Sequence, residues 1–106
     1  MRKRTFVSAA ALTAATLVPV LAVDAPTQAA SRHTWNRIAD CESGDRWHIN
    51  TGNGYYGGLQ FNLATWRSSG GNRFAKYPHR ATKREQIHVA NRLYAKRGFS
   101  PWSCRP

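Results

Sequence analysis

Apolar and polar positions divide the chain into a leader and one small domain. Phe6 through Val23 is an almost unbroken run of apolar and small residues, preceded by Arg2-Lys3-Arg4 and followed by Thr27-Gln28-Ala29-Ala30. A positive start, an apolar stretch and small residues at a cleavage point after Ala29 or Ala30 predict a secretory signal peptide over residues 1–30. The run approaches spanning length, so a membrane anchor is the competing reading. Its Ala and Thr content, Pro19 and the lack of a following basic cluster favour export. Beyond the leader, Trp35, Ile38 and Ala39 recur at helical spacing, the inner stripe of a short amphipathic helix that Thr34 can cap and Gly44 ends. Asn62 predicts the cap of a second helix through Leu63, Ala64, Thr65 and Trp66, closed by Gly70-Gly71. Thr82-Lys83-Arg84-Glu85 is a capping box, which assigns Glu85 to the helix start. The helix it opens carries Ile87, Ala90 and Tyr94 on one stripe, widened by Val89 and Leu93, with Lys96, Arg97 and Gly98 as its stop.

Between the first two helices the pattern changes. Asn50-Thr51-Gly52-Asn53-Gly54 is a dense turn signal, and Tyr55-Tyr56-Gly57-Gly58-Leu59-Gln60-Phe61 follows it, so a tight turn or hairpin is expected. Aromatic rings beside residues without side chains leave a groove with accessible backbone amides. Asn53, Tyr55, Gln60 and Thr65 bring to it polar groups of the kind that bind sugars. The glycine spacing is not a phosphate loop, because no strand-loop-helix unit with a downstream acid surrounds it. Trp47 and Trp66 read as core residues. Residues 72–80 form a connection limited by Pro78, and the tail from Phe99 to Cys104 is too short for another helix.

Size and charge narrow the class. Residues 31–106 make one domain, small enough to need a covalent staple. Cys41 and Cys104 are the only cysteines, and in an exported chain an even pair reads as a disulfide in preference to two free thiols. The loop it closes spans most of the domain, worth about 4 kcal/mol on chain-entropy grounds. The tail would then lie across the domain, pinned to the end of the first helix beside Glu42. His33, His48, His79 and His88 lack metal-site spacing, so no metal and no cofactor are expected. Without Arg2, Lys3, Arg4 and Asp24, the chain keeps 13 basic and 4 acidic residues of the 16 and 5 it starts with. That excess points to a polyanionic partner, and export directs it to anionic wall polymers. No nucleic-acid signature is present, and a membrane-active peptide would need a longer apolar helix face than residues 85–97 offer.

Glu42 is the most informative residue. Seven positions after Trp35, it extends the apolar stripe into the last turn of the first helix. An apolar setting and the negative helix end both favour the protonated carboxyl, the form that donates to a leaving oxygen. The alternative is a Glu42 that points to solvent past the helix end or pairs with an arginine. Glycosidases usually employ two carboxyl groups. Asp40 faces elsewhere, Glu85 is in the cap, and Asp45, beyond the helix stop, is the weaker candidate for a second group. One acid is enough where the substrate supplies its own nucleophile, as the C6 hydroxyl of muramic acid can.

Trp35, Cys41-Glu42-Ser43-Gly44, Trp47, the run from Ile49 to Phe61, Thr65-Trp66, Trp102 and Cys104 together resemble the resuscitation-promoting factor domain family. The resemblance covers nearly all of residues 31–106. It implies a small lysozyme-like α+β fold, mostly α, with a short hairpin or turn-rich segment and a Cys41–Cys104 disulfide. It also implies secreted action on peptidoglycan glycan strands, cutting between MurNAc and GlcNAc, in actinobacteria leaving dormancy or germinating from spores; the chain is expected to act as a monomer. The family's catalytic glutamate falls on Glu42, and its substrate-contacting tyrosine, glutamine and threonine fall on Tyr55, Gln60 and Thr65. Asn36 stands where the family commonly has Asp, Asp45 where it has Gly, and basic residues are dense after Gly71. A non-catalytic peptidoglycan-binding or signalling module using the same groove is the alternative function.

Overall fold

The computed structural model describes residues 29–106; most of the expected leader lies outside them. Among the described residues three α-helices carry the fold: α1 (Arg32–Ser43), α2 (Leu63–Ser68) and α3 (Lys83–Arg97). Two 3-10 turns, Gly71–Arg73 and Pro78–Arg80, bridge α2 to α3. The architecture is the mostly helical, disulfide-linked one expected. Among the described residues the turn-rich segment expected between the first two helices carries isolated antiparallel bridges, Asn50 to Tyr56 and Tyr56 to Phe61. No described helix is long and apolar enough to cross a membrane.

The cap of α1 differs from expectation. Ser31, not Thr34, is the N-cap: its side chain accepts the Thr34 amide at 3.1 Å, and the helix begins earlier than the apolar stripe indicates. Ala30 belongs to the folded unit as well, its amide donating to Asn91 Oδ1 at 3.1 Å beside the Trp35 indole, which donates to the same atom at 2.8 Å. Gly44 ends α1 in the left-handed region (φ 66°), Asn62 caps α2, and Thr82 with Glu85 forms the complete capping box of α3.

The core is aromatic. Trp35 is fully buried and meets Trp102, Phe99 and Tyr94 edge-on, with ring centroids 4.8, 5.7 and 6.3 Å away. Such pairs add about 0.5–1.5 kcal/mol each beyond the area they bury. Trp47 and Trp66 are core residues, as expected. The inner stripe of α3 is Gln86, Val89, Ala90 and Leu93, while Ile87 and Tyr94 lie at its half-buried edges. Gln86 was not anticipated there. Its amide donates to the Trp47 and Ala81 carbonyls at 2.8 and 3.0 Å, and its oxygen accepts the Gly58 amide at 3.0 Å. A buried amide with its donors and acceptor paired costs little and fixes geometry. It ties the glycine turn to α3.

Candidate active site

The glycine turn is built around close approach. A Cβ on Gly58 would collide with the Trp47 ring, so only glycine lets this backbone lie against the indole. Tyr56 and Phe61 exchange backbone hydrogen bonds at 2.9 and 3.0 Å, closing the turn between them. Gln60, the last residue inside, is held at φ 54°, a region that costs a non-glycine residue about 1–2 kcal/mol. Its side-chain amide donates to the Gly57 carbonyl at 3.0 Å, which stabilises that conformation. The strain places Gln60 on the groove side of the turn. Behind it, His79 stacks on Tyr56, with ring centroids 5.4 Å apart, and Tyr77 packs against both. His48 Nδ1 lies 2.8 Å from the His79 carbonyl. Burial, then the nearby Arg80 and His48, hold the His79 imidazole below its ordinary pKa.

In front of the turn runs a groove in two adjoining hollows of about 250 Å³ each. Tyr55, Gln60, Pro101 and Trp102 line both. Glu42 and Ser103 complete one hollow; Thr65, Asn62, Ser100 and Arg97 are among the residues completing the other. Tyr55 is the one large apolar-bodied side chain exposed on the described surface, at 47%. An exposed aromatic ring beside amide and hydroxyl groups suits the mixed apolar and polar faces of a sugar. Of the residues singled out from sequence, Glu42, Tyr55, Gln60 and Thr65 meet here. Asn53 does not line the groove; its Oδ1 accepts the Tyr55 amide at 3.0 Å, so it shapes the turn that presents Tyr55.

Glu42 is half-buried rather than enclosed. Ser43, one position on, takes the inward place and hydrogen-bonds the Ala39 and Gly58 carbonyls at 3.0 and 2.9 Å. One Glu42 oxygen, Oε2, accepts the Cys104 amide at 3.0 Å. Cys104 is joined to Cys41 by the expected disulfide, with Cα atoms 5.9 Å apart. The tail therefore lies beside Glu42, as read from the sequence, and it also walls the groove. That second role was missed. The pairing of Cys41 with Cys104 carries the signal, because it brings the neighbours of each cysteine together and sets Trp102 near Glu42.

The other carboxylates have different settings. Asp45 Oδ1 accepts the Trp47 indole N–H at 2.9 Å, and Asp45 and Asp40 line a separate hollow with Arg37 and Lys83. Glu85 Oε1 accepts the Thr82 amide at 2.9 Å. Asn36, at the position where the resemblance led to an expected acid, has a buried Oδ1 without a hydrogen-bond partner. Among the described residues no cluster of His, Cys, Asp and Glu is arranged to hold a metal ion.

Comparison with known proteins shows the family. A transglycosylase-like domain model matches residues 29–105. Resuscitation-promoting factor Rpf1 of Corynebacterium glutamicum is 53% identical over 74 residues, covering 70% of this chain and 38% of that protein. Resuscitation-promoting factor Rpf of Micrococcus luteus is 51% identical over 78 residues, covering 74% of this chain and 34% of that protein. Resuscitation-promoting factor RpfA of Mycobacterium tuberculosis is 45% identical over 82 residues, 77% of this chain and 20% of that protein. The chain thus spans well under half the length of these curated relatives.

Proposed function

Because the chain belongs to the resuscitation-promoting factor family, with a transglycosylase-like domain over residues 29–105, we propose that it is a secreted enzyme that cleaves peptidoglycan glycan strands. In this reading it cuts the β-1,4 bond between MurNAc and GlcNAc as a lytic transglycosylase, and cleavage promotes regrowth from dormancy or germination. The observation that carries it is the solitary acid: Glu42 is the one carboxylate lining the groove, beside Tyr55 and Gln60.

Glu42 in its protonated form gives its proton to the glycosidic oxygen as that bond to the anomeric carbon breaks. The C6 hydroxyl of the same muramic residue attacks the anomeric carbon, and its proton passes to the Glu42 carboxylate. Glu42 ends protonated, no water is consumed, and the product carries a 1,6-anhydro end. Tyr55, Gln60 and Thr65 hold the sugars, and Asn53 keeps Tyr55 in place. Asp45, engaged with the Trp47 indole, is poorly disposed to act as a second carboxylate.

The test compares wild type with Glu42→Gln on purified peptidoglycan, with products read by mass. Anhydro-ended fragments from wild type and none from the variant are expected. Products heavier by one water convert the reaction to hydrolysis. Equal release by both proteins removes Glu42 as the acid, and no release by either leaves the groove as a binding module.

The basic surface supports a further contact with anionic wall polymers. Sedimentation with whole walls should then weaken as salt rises and as those polymers are stripped. Equal binding to stripped and unstripped walls, unaffected by salt, would remove that partner.

A further inference from the structure

The groove has a charged residue at each end. Glu42 lies in one hollow and Arg97 in the other, with Tyr55, Gln60, Pro101 and Trp102 shared between them. Arg97 is exposed in the last turn of α3, and Ser100, whose hydroxyl donates to the Arg97 carbonyl at 2.8 Å, lines the same hollow. No other charged residue lines this hollow. Its charge also favours the negative end of α3, but Lys96 in the same turn already supplies that. An exposed arginine that lines a polar groove, with no second charge in its hollow, suits a planar anion. Carboxylate is the group its fork matches.

We propose that Arg97 is a specificity-determining residue that binds a carboxylate on the acidic peptide stem borne by alternate sugars of the glycan strand. This rests on the reading of the groove as a glycan site and names the substituent that the end opposite Glu42 selects. A strand seated with its scissile bond at Glu42 runs past Tyr55 and Gln60 and brings a neighbouring stem toward Arg97. Strands without stems, or with amidated stems, lose this contact and keep the rest.

The test uses the full chain as secreted, with wild type, Arg97→Gln and Arg97→Lys compared at one ionic strength. Three soluble substrates are used: strands with acidic stems, the same strands with their carboxylates amidated, and strands stripped of stems by an amidase. Equilibrium binding is measured by calorimetry beside KM and kcat. On acidic-stem strands Arg97→Gln should weaken binding and raise KM roughly ten-fold with kcat little changed, the loss of one charge-assisted hydrogen-bonded pair. Arg97→Lys should recover only part, since a point charge lacks the fork. On the other two substrates wild type and Arg97→Gln should bind alike. An equal loss on all three substrates, or no loss on acidic-stem strands, overturns the proposal. Since binding is read without turnover, absence of cleavage refutes the enzymatic reading separately from the role of Arg97.

Discussion

The last turn of α1 and the first turn of α3 each carry a glutamate, and the two side chains live in opposite circumstances. Glu85 sits at a helix start, where the dipole favours an anion, and it completes a reciprocal capping box with Thr82. Its chemistry is spent on folding. Glu42 sits at a helix end, where a cation would be favoured and the last turn contains none. It is half-buried at a groove and accepts one identified hydrogen bond, from the Cys104 amide. A residue type placed against local preference, and held there by a contact from far along the chain, is the kind of exception that functional sites make.

Exchanging the functions of the two glutamates by mutation gives the largest expected contrast. Glu42→Gln should lower cleavage by roughly 10²–10⁴-fold, the usual worth of general acid-base catalysis, with little change in melting temperature. Glu85→Ala should leave kcat unchanged and cost about 0.3–1.5 kcal/mol in chemical denaturation. If Glu85→Ala were the inactive variant, the comparison would be reversed.

Cys104→Ser strikes at what distinguishes the two ends. Losing the disulfide should cost about 2–5 kcal/mol of stability, read from denaturant titration. Activity should fall further than stability alone explains, because the tail that walls the groove is freed along with the amide that fixes Glu42. Full activity in a folded Cys104→Ser protein would show that Glu42 needs no such support.

The smallest effect is a pH dependence behind the groove. The imidazole of His79 has its pKa lowered from 6.5, chiefly by burial, with Arg80 and His48 adding repulsion. The unfolded chain therefore takes up this proton more readily than the folded one. The contribution of neutral His79 is fully present above pH 6.5 and is lost as pH falls from there through the lower folded value. Melting temperature measured from pH 7.5 downward should show this loss, and His79→Gln should flatten that part of the curve. An unchanged slope in the variant would place the titration elsewhere.

Local rules recovered the parts of the fold that local chemistry governs. The capping box, the Gly44 and Gly98 stops and the Asn62 cap all concern neighbours in sequence, and the structure has each. The inner stripe of α3 was less well centred, because Gln86 is polar by type and buried by virtue of partners in Trp47, Gly58 and Ala81 that periodicity does not weigh. For the same reason Ser43 displaced Glu42 from the fully buried place: its hydroxyl reaches the Gly58 carbonyl across the turn. Glu42 stood out from the apolar stripe, and Tyr55, Gln60 and Thr65 from residue type and resemblance, whereas Arg97 and Trp102 become groove residues only once the tail is folded back.

That folded-back tail also sets the order in which the groove is completed. Glu42 and the amide that holds it are 62 positions apart in sequence and 3.0 Å apart in space. The capped helices can form from their own neighbours, but a contact of such long range comes only after nearly the whole domain has been brought together, and loop-closure entropy opposes it until then. Refolding should therefore restore helical signal before it restores the groove. A chain interrupted between Thr65 and Trp102 keeps Glu42 and Tyr55, yet lacks the Pro101–Trp102 wall that completes the groove.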